Sequence, residues 1–260
     1  MSEIALKQFI VQVSAETGEY LRNHFYTFKN VIEHDSGNLV TNIDLELAEI
    51  LHRRISRQYP DHQVIIQGDN AKPTKDYVWL IDPLEGSSHF SRDIPVYTTN
   101  IALQHNGQTI LGTVNAAQTN QLFFAQYGEG AYLNGIRIKV SDQVDLAKAF
   151  VFVELPEKKF DNQPDFDQKM ELVTQLVKQC RQIETFRIGS FGQCLVASGA
   201  FDAYLDFSGT SQALSHAASL LIVREAGGET VDLAALQDGF IQIMATNKQL
   251  TDKLKFILNV

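Results

Sequence analysis

The chain has 260 residues, of which 44% are hydrophobic and 20% charged, so it can form one large domain or two closely packed subdomains. Its 31 acidic and 22 basic residues give a formal net charge of −9, which disfavours nucleic acid and anionic membranes as partners. Two cysteines make no disulfide framework, and we recognise neither a signal peptide nor a membrane span, so a cytoplasmic protein is expected.

The first half predicts two helices followed by strands. Apolar residues recur at helical spacing over 4–25 and again over 42–59. A continuous apolar strand over 77–81 stops at Asp82-Pro83. Further strand-like runs are 64–66, 98–104, 110–115, 122–126 and 130–133. Turns separate the last four of these runs, which predicts an antiparallel meander.

The second half predicts a mixture of strands and helices. It contains strands at 150–153 and 200–207, a charged loop at 157–167, and helices at 170–180, 191–199 and 213–226. This order predicts an α/β protein with layers of helices and sheets. We expect an N-terminal α+β subdomain over 1–145 with the larger antiparallel sheet and a C-terminal α/β subdomain over 146–260, together forming one compact domain.

The chemistry-bearing segment with the clearest pattern is Asp82-Pro83-Leu84-Glu85-Gly86-Ser87-Ser88, at the end of a buried strand. Two carboxylates three residues apart flank a proline-stiffened turn, and two hydroxyls follow a glycine. Such oxygens suit a hard cation. The alternative is a capped turn, in which Asp82 or Ser88 caps a helix beginning near His89.

That segment resembles the Asp-Pro-(Ile/Leu)-Asp-Gly-Thr-Thr-Asn-Phe signature of a known family. Further motifs of the family match in the same order along the chain: Leu39-Val40-Thr41-Asn42-Ile43-Asp44 with Glu49, Gly128 to Gly135, Gly189-Ser190 with Cys194 and Asp202-Ala203-Tyr204, and Ala217-Ala218 with Glu225-Ala226-Gly227-Gly228. Over nearly its whole length the chain therefore resembles the inositol monophosphatase-like family of metal-dependent phosphatases.

The resemblance implies a fold, a chemistry and a site. The expected fold is an αβαβα sandwich, and a homodimer is expected. Members bind magnesium ions among carboxylates, and a metal-bound water attacks a phosphomonoester. By residue matching, Asp82, the carbonyl oxygen of Leu84 and Glu85 would be metal ligands, and Asp44 with Ser87 would position and activate the water. The substrate-binding residues would be Gly86, Ser87, Ser88 and Asp206.

Several positions depart from the family pattern. Where the family usually has two glutamates before its signature, this chain has Gln67 and Gly68, with Asp69 as a substitute if the turn is remodelled. Glu85 replaces an aspartate and adds roughly 1.5 Å of reach. Ser215 stands where the family has an aspartate, after Leu214 in place of a tryptophan. Gln67 and Ser215 would therefore be poor metal ligands, and we expect weak or partial Mg²⁺ binding.

Isolated histidines and cysteines have simpler interpretations. His62, His89 and His216 are expected to be satisfied or exposed rather than catalytic, with His89 the best candidate among them. Cys180 and Cys194 fall at apolar helix positions and are expected in the core.

Two functions remain in view. One is a Mg²⁺-dependent phosphomonoesterase acting on an inositol, sugar or nucleotide phosphate. The other is an inactive family member that serves as a binding or regulatory module. Because the changes at Gln67, Glu85 and Ser215 concentrate in the metal-binding motifs, we favour descent from a phosphatase with weak or lost activity. A small phosphorylated molecule is the expected ligand in either case.

Overall fold

Helices and mixed β-sheets alternate in the computed structural model, which describes residues 3–33, 39–156, 166–236 and 239–259. The helices of the described residues are α1 (Glu3–His24), α2 (Asn42–Gln58), α3 (Ser87–Phe90), α4 (Phe166–Gln179), α5 (Gly189–Ala197), α6 (Ala213–Glu225) and α7 (Thr251–Leu258). The strands are β1 (Val31–Glu33), β2 (Leu39–Thr41), β3 (Gln63–Ile66), β4 (Tyr77–Glu85), β5 (Thr98–His105), β6 (Gln108–Ala116), β7 (Gln121–Gln126), β8 (Gly130–Leu133), β9 (Ile136–Ile138), β10 (Phe150–Glu154), β11 (Gln182–Glu184), β12 (Ala203–Asp206), β13 (Ser211–Gln212), β14 (Glu229–Ala235) and β15 (Phe240–Thr246).

The strands form two large sheets and one small hairpin. The first sheet has the order β3-β4-β5-β6-β7-β8-β9 and is antiparallel except for the parallel edge pair β3 and β4. The second has the order β11-β10-β12-β15-β13, with β14 also paired to β15, and its β10 runs parallel to β11 and β12. Strands β1 and β2 form the hairpin.

The alternation of side chains along β4 shows how the layers are built. Trp79 and Ile81 face the core formed with α1 and α2, whereas Val78 and Leu80 face the core formed with α5 and α6. A third core packs the other face of the second sheet against α4 and α7. The order of layers is therefore α1/α2, first sheet, α5/α6, second sheet, α4/α7, which confirms the predicted αβαβα sandwich.

The signature strand is longer than the sequence indicated. β4 continues through Asp82-Pro83 to Glu85, and its pairing with β5 is irregular between Asp82 and Glu85. Pro83 has no N–H to donate, so a break in the ladder at this point is expected. The prediction that the strand stops at Asp82-Pro83 is therefore wrong, and the irregularity falls within the signature segment.

Other predictions have mixed outcomes. The long helices and the meander are confirmed, but the sequence did not indicate β1, β2, β9, β11, β13, β14, β15 or α7. The predicted loop at 157–167 falls largely on residues 157–165, outside the described residues. The subdomain boundary at 145/146 stays a prediction. In the described part of the chain, no helix has both the length and the apolar character that crossing a membrane requires.

Candidate functional site

Asp44 lies in the site, and both of its carboxylate oxygens accept hydrogen bonds. It is the third residue of α2, where Thr41 caps the helix. Thr41 donates to Asp44 Oδ2 from its backbone nitrogen at 2.8 Å and from Oγ1 at 2.5 Å, and Ser87 Oγ lies 2.5 Å from Oδ1. Burial raises the pKa of Asp44, and the bonds from Ser87 and Thr41 lower it. Asp44 therefore has a structural function in α2 as well as a place in the site.

The turn after β4 positions Ser87. Gly86 adopts φ 96°, and a Cβ there would lie 2.9 Å from Ile188 Cδ1 and 3.2 Å from the Val96 carbonyl oxygen. Ser87 Oγ contacts the Leu84 carbonyl oxygen at 2.9 Å as well as Asp44, so its single proton is shared between two acceptors. Gly86 is the N-cap of α3, and no side chain caps that helix, so the capped-turn interpretation of this segment is wrong.

Asp82 lies at the bottom of the cleft with 1% of its surface exposed. With the Gln67 amide in the orientation that satisfies both groups, Gln67 Nε2 donates to Asp82 Oδ1 at 2.8 Å and to Oδ2 at 3.1 Å. Burial raises the pKa of Asp82 well above its usual range, the Glu85 and Asp44 charges add to this rise, and Ser215 opposes it. Ser215 Oγ makes no hydrogen bond of ordinary geometry within the described residues, yet it lies near enough to lower the Asp82 pKa.

Glu85 is held by a set of donors that we call the Glu85 cradle: Thr98, Asn100 and Ser190. Its Oε2 accepts from Thr98 Oγ1 at 3.2 Å, from Asn100 Nδ2 at 2.9 Å and from Ser190 Oγ. The Ser190 backbone N–H, in the first turn of α5, lies 3.3 Å from Oε1. An anion at a helix N-terminus is stabilised by the free N–H groups there. Glu85 thus connects the first sheet to the helix layer behind it.

Asp44, Asp82, Glu85 and Ser215 come from three different elements, α2, β4 and α6, and converge in one cleft, as the sequence indicated. Asp69 does not join them, because its carboxylate accepts from the Ile66 N–H at 2.9 Å.

Asp206 was expected to bind substrate, but the structure gives it a different environment. It has 0% of its surface exposed, and its Oδ1 accepts from Ser208 N and Oγ at 2.7 Å each. Its carboxylate is therefore enclosed by protein rather than open to the cleft. The neighbouring Glu154, its register partner on β10, has its pKa raised to about 8 by burial and by the charge of Asp206.

Three nitrogen-bearing side chains near the signature turn interact electrostatically, and we call them the basic rim: His89, Arg92 and Arg187. Burial lowers the pKa of His89, and the positive charges of Arg187 and Arg92 lower it further. His89 Nδ1 is buried and has no hydrogen-bond partner among the described residues. Sequence reasoning noted His89 but missed both arginines, whose only signal was their position beside the matched motifs.

The other isolated side chains have structural contacts. His62 Nδ1 accepts from Trp79 Nε1 at 3.0 Å, and His216 Nδ1 lies 3.0 Å from Gln193 Nε2 in the interior. Cys194 is buried, and Cys180 is half-buried. Burial raises the pKa of both thiols, which is the opposite of what a reactive cysteine requires.

Comparison with known proteins decides the family. The model of the Inositol monophosphatase family matches residues 5–251, nearly the whole chain. The chain belongs to the inositol monophosphatase family.

Members of the family from distant organisms are similar to it. The chain is 33% identical to "Nus factor SuhB" of Pasteurella multocida over 199 residues, which are 76% of this chain and 73% of that protein. It is 29% identical to "Inositol monophosphatase 2" of Rattus norvegicus, covering 85% and 78% of the two chains. The crystal structure of extragenic suppressor protein suhB from Bartonella henselae superposes with a TM-score of 0.87 at 23% identity, covering 98% of both chains.

The residues present do not fit the magnesium cluster that family membership implies. A cation needs lone pairs directed at it, but in the assigned amide orientation the Gln67 N–H faces Asp82, hydroxyls face Asp44, and the cradle donors face Glu85. Within the described ranges, no group of three or more His, Cys, Asp or Glu side chains is arranged to hold a metal ion. Hydrogen-bond donors thus occupy the directions in which the inositol monophosphatase family is expected to place cations.

Proposed function

We propose that this member of the family retains the fold and cleft of a phosphomonoesterase but has weak or lost hydrolytic activity. The observation that carries the proposal is the neutral Gln67 amide beside Asp82, with its orientation assigned from the hydrogen-bond pattern. A glutamate at position 67 would add a negative charge that attracts a cation, whereas the amide directs a positive hydrogen at Asp82. Ser215 adds no charge, and the Glu85 carboxylate already accepts hydrogen bonds from Asn100 and Ser190. Mg²⁺ is therefore held weakly or with partial occupancy.

The proposed role is binding of a small phosphorylated molecule, in a cytoplasmic homodimer. The cleft retains Gly86, Ser87 and Ser88 at its mouth, where Ser88 is exposed. Relatives that are named Nus factor rather than phosphatase support a role that does not depend on turnover. The exclusion of nucleic acid as a ligand rests on the charge of −9 alone and stays a prediction.

Phosphate release from a panel of inositol, sugar and nucleotide phosphates tests the proposal. We expect little turnover by the wild type at neutral pH with Mg²⁺. The triple variant Gln67→Glu, Glu85→Asp and Ser215→Asp should hydrolyse at least one substrate much faster than any single variant, because the three positions act on one cluster. Robust wild-type turnover that Asp82→Ala abolishes would overturn the proposal.

The competing function is an active phosphatase with an unusual ligand set. The contact between Ser87 and Asp44 favours it, because that pair would position the attacking water. The same assay separates the two functions, since an active enzyme must turn over before any position is reverted.

A further inference from the structure

Strand β3 lies at the edge of the first sheet and leads directly into Gln67, whose amide in its assigned orientation donates to Asp82. Among the described residues, β3 pairs with β4 alone. The pairing continues one residue beyond the strand, where the Gln67 N–H donates to the Ile81 carbonyl oxygen at 2.8 Å. Because a strand that is paired on one side opens more readily than a central one, the contacts that fix the beginning of β3 also help to hold Gln67.

His62 immediately precedes β3 and connects it to β4 through a side-chain hydrogen bond. Trp79 Nε1 donates to His62 Nδ1 at 3.0 Å. Both side chains are buried, with His62 8% and Trp79 0% exposed. Since an indole N–H can only donate, His62 Nδ1 must carry a lone pair, and the proton of the neutral imidazole lies on Nε2.

Stacked tyrosine rings hold the imidazole in this orientation. The His62 ring is nearly parallel to the Tyr59 ring, with centroids 4.9 Å apart at 13°, and to the Tyr77 ring, at 4.7 Å and 10°. Tyr59 is the C-cap residue of α2, and Tyr77 begins β4. One imidazole therefore joins the end of α2, the start of β3 and the first turns of contact with β4.

The surroundings of His62 oppose a second proton. Lys75 Nζ lies 3.3 Å from the His62 carbonyl oxygen. Burial lowers the pKa of His62, the Asp61 charge raises it, and the Lys75 charge lowers it. The stacked phenols of Tyr59 and Tyr77 add no charge near neutral pH. The histidine is therefore neutral in the folded protein at neutral pH, as the bond from Trp79 requires.

From these contacts we propose that His62 is a pH-sensitive latch on β3. While the imidazole is neutral, Nδ1 accepts from Trp79 and the edge strand stays on β4. A proton on Nδ1 would set two N–H groups against each other, so the ring leaves Trp79, β3 loosens, and Gln67 is withdrawn from Asp82. The latch is a property of the fold, and it does not depend on whether the cleft hydrolyses a substrate.

The direction of the pH dependence follows from the proton that opening takes up. In the open strand His62 has its ordinary pKa of 6.5, whereas in the closed strand its pKa is lower. The latch is therefore complete above about pH 6.5 and weakens as the pH falls below that value. The equilibrium constant for opening rises by up to about tenfold per pH unit in this range.

Amide hydrogen exchange, followed by NMR and corrected for the intrinsic rate at each pH, tests the latch. Between pH 7.5 and pH 5.5 the protection of the Gln67 amide should fall about tenfold, because the bound proton favours the open strand. The buried Val114 amide on β6, which pairs on both sides, is the internal reference and should change less than about twofold. The Trp79 indole N–H resonance should shift with the midpoint of the His62 titration.

Two variants separate the latch from other titrating groups. His62→Asn places an amide oxygen where Nδ1 lies, so it can still accept from Trp79 but does not titrate. Its Gln67 protection should be the same at both pH values. His105→Asn is the matched control, because His105 stacks on Tyr77 at 4.3 Å and 12° but the Trp79 N–H goes to His62. This variant should keep the wild-type pH dependence.

Four results would overturn the proposal. They are a neutral His62 with its proton on Nδ1 in the nitrogen NMR spectrum, Gln67 protection that does not change with pH, an equal fall at Gln67 and Val114, and a pH dependence that survives His62→Asn. The first three are measured on the wild type, so a variant that folds poorly does not prevent the test. An equal fall at both amides would mean that acid unfolds the whole domain rather than releasing β3.

Discussion

Asp44 and Gln67 are both neighbours of Asp82, and they illustrate two ways in which a site position can relate to a fold. Asp44 is part of the capping box of α2, so the helix needs a carboxylate there with or without catalysis. Gln67 caps no helix, and in its assigned orientation its amide donates to Asp82. A retained catalytic-type residue is therefore weak support for activity when the fold also requires it, whereas a replaced residue with no other function is more informative.

Glu85 extends the comparison, because it has acquired a structural function in place of the expected one. Replacing it by alanine leaves the cradle donors of Thr98, Asn100 and Ser190 without an acceptor, and should lower the free energy of unfolding by about 3 kcal/mol. Chemical denaturation of the variant beside the wild type measures this. A loss below about 1 kcal/mol would mean that Glu85 is not engaged as the structure shows.

Asp44 should also matter for stability in the absence of any metal or substrate. Asp44→Ala removes the capping box and the Ser87 bond and should cost about 2 kcal/mol, measured by denaturation in EDTA. Asp44→Asn is the conservative comparison and should cost less, since an amide oxygen still accepts. Equal stability of the alanine variant and the wild type would remove the structural explanation for the retention of Asp44.

Gln67→Glu is the reverse experiment at the second neighbour of Asp82. Without metal it replaces a donor by a second carboxylate, and we expect a loss of about 1.5 kcal/mol in EDTA. Gln67→Leu is the control, because it removes the hydrogen bond without adding a charge. If the glutamate variant were the more stable of the two, Asp82 would not be a partner of the amide.

The pH dependence of stability tests the buried acids behind the cradle. Burial and the Asp206 charge raise the pKa of Glu154 from 4.5 to about 8, so the folded protein keeps a proton that the unfolded chain releases. Protonated Glu154 contributes its full share to the free energy of unfolding below about pH 4.5. That contribution is lost as the pH rises through 8, by at most about 1.4 kcal/mol per pH unit. Glu154→Gln should flatten the decline of melting temperature over this range. An unchanged decline would assign it to other groups.

Local patterns in the sequence were enough for much of the fold and part of the site. Helical periodicity predicted α1, α2 and α6, and motif matching predicted that Asp44, Asp82, Glu85 and Ser215 converge. The Glu85 cradle was not predictable, because its donors come from β5 and α5 and meet Glu85 only after the layers pack. Arg187 was missed for the same reason, since its place beside the cleft depends on the contact between Gly86 and Ile188.

A crystal structure of the wild type grown with Mn²⁺ tests most directly whether hydrogen-bond donors have replaced cations in the cleft. Mn²⁺ is a hard cation that favours the same oxygen ligands as Mg²⁺ and can be located by its anomalous scattering. We expect the Gln67 amide in contact with Asp82, Glu85 bonded to Ser190, and no strong anomalous peak between them. A fully occupied Mn²⁺ about 2.2 Å from Asp82 and Glu85, with Glu85 withdrawn from its cradle, would contradict this and restore an active metal site.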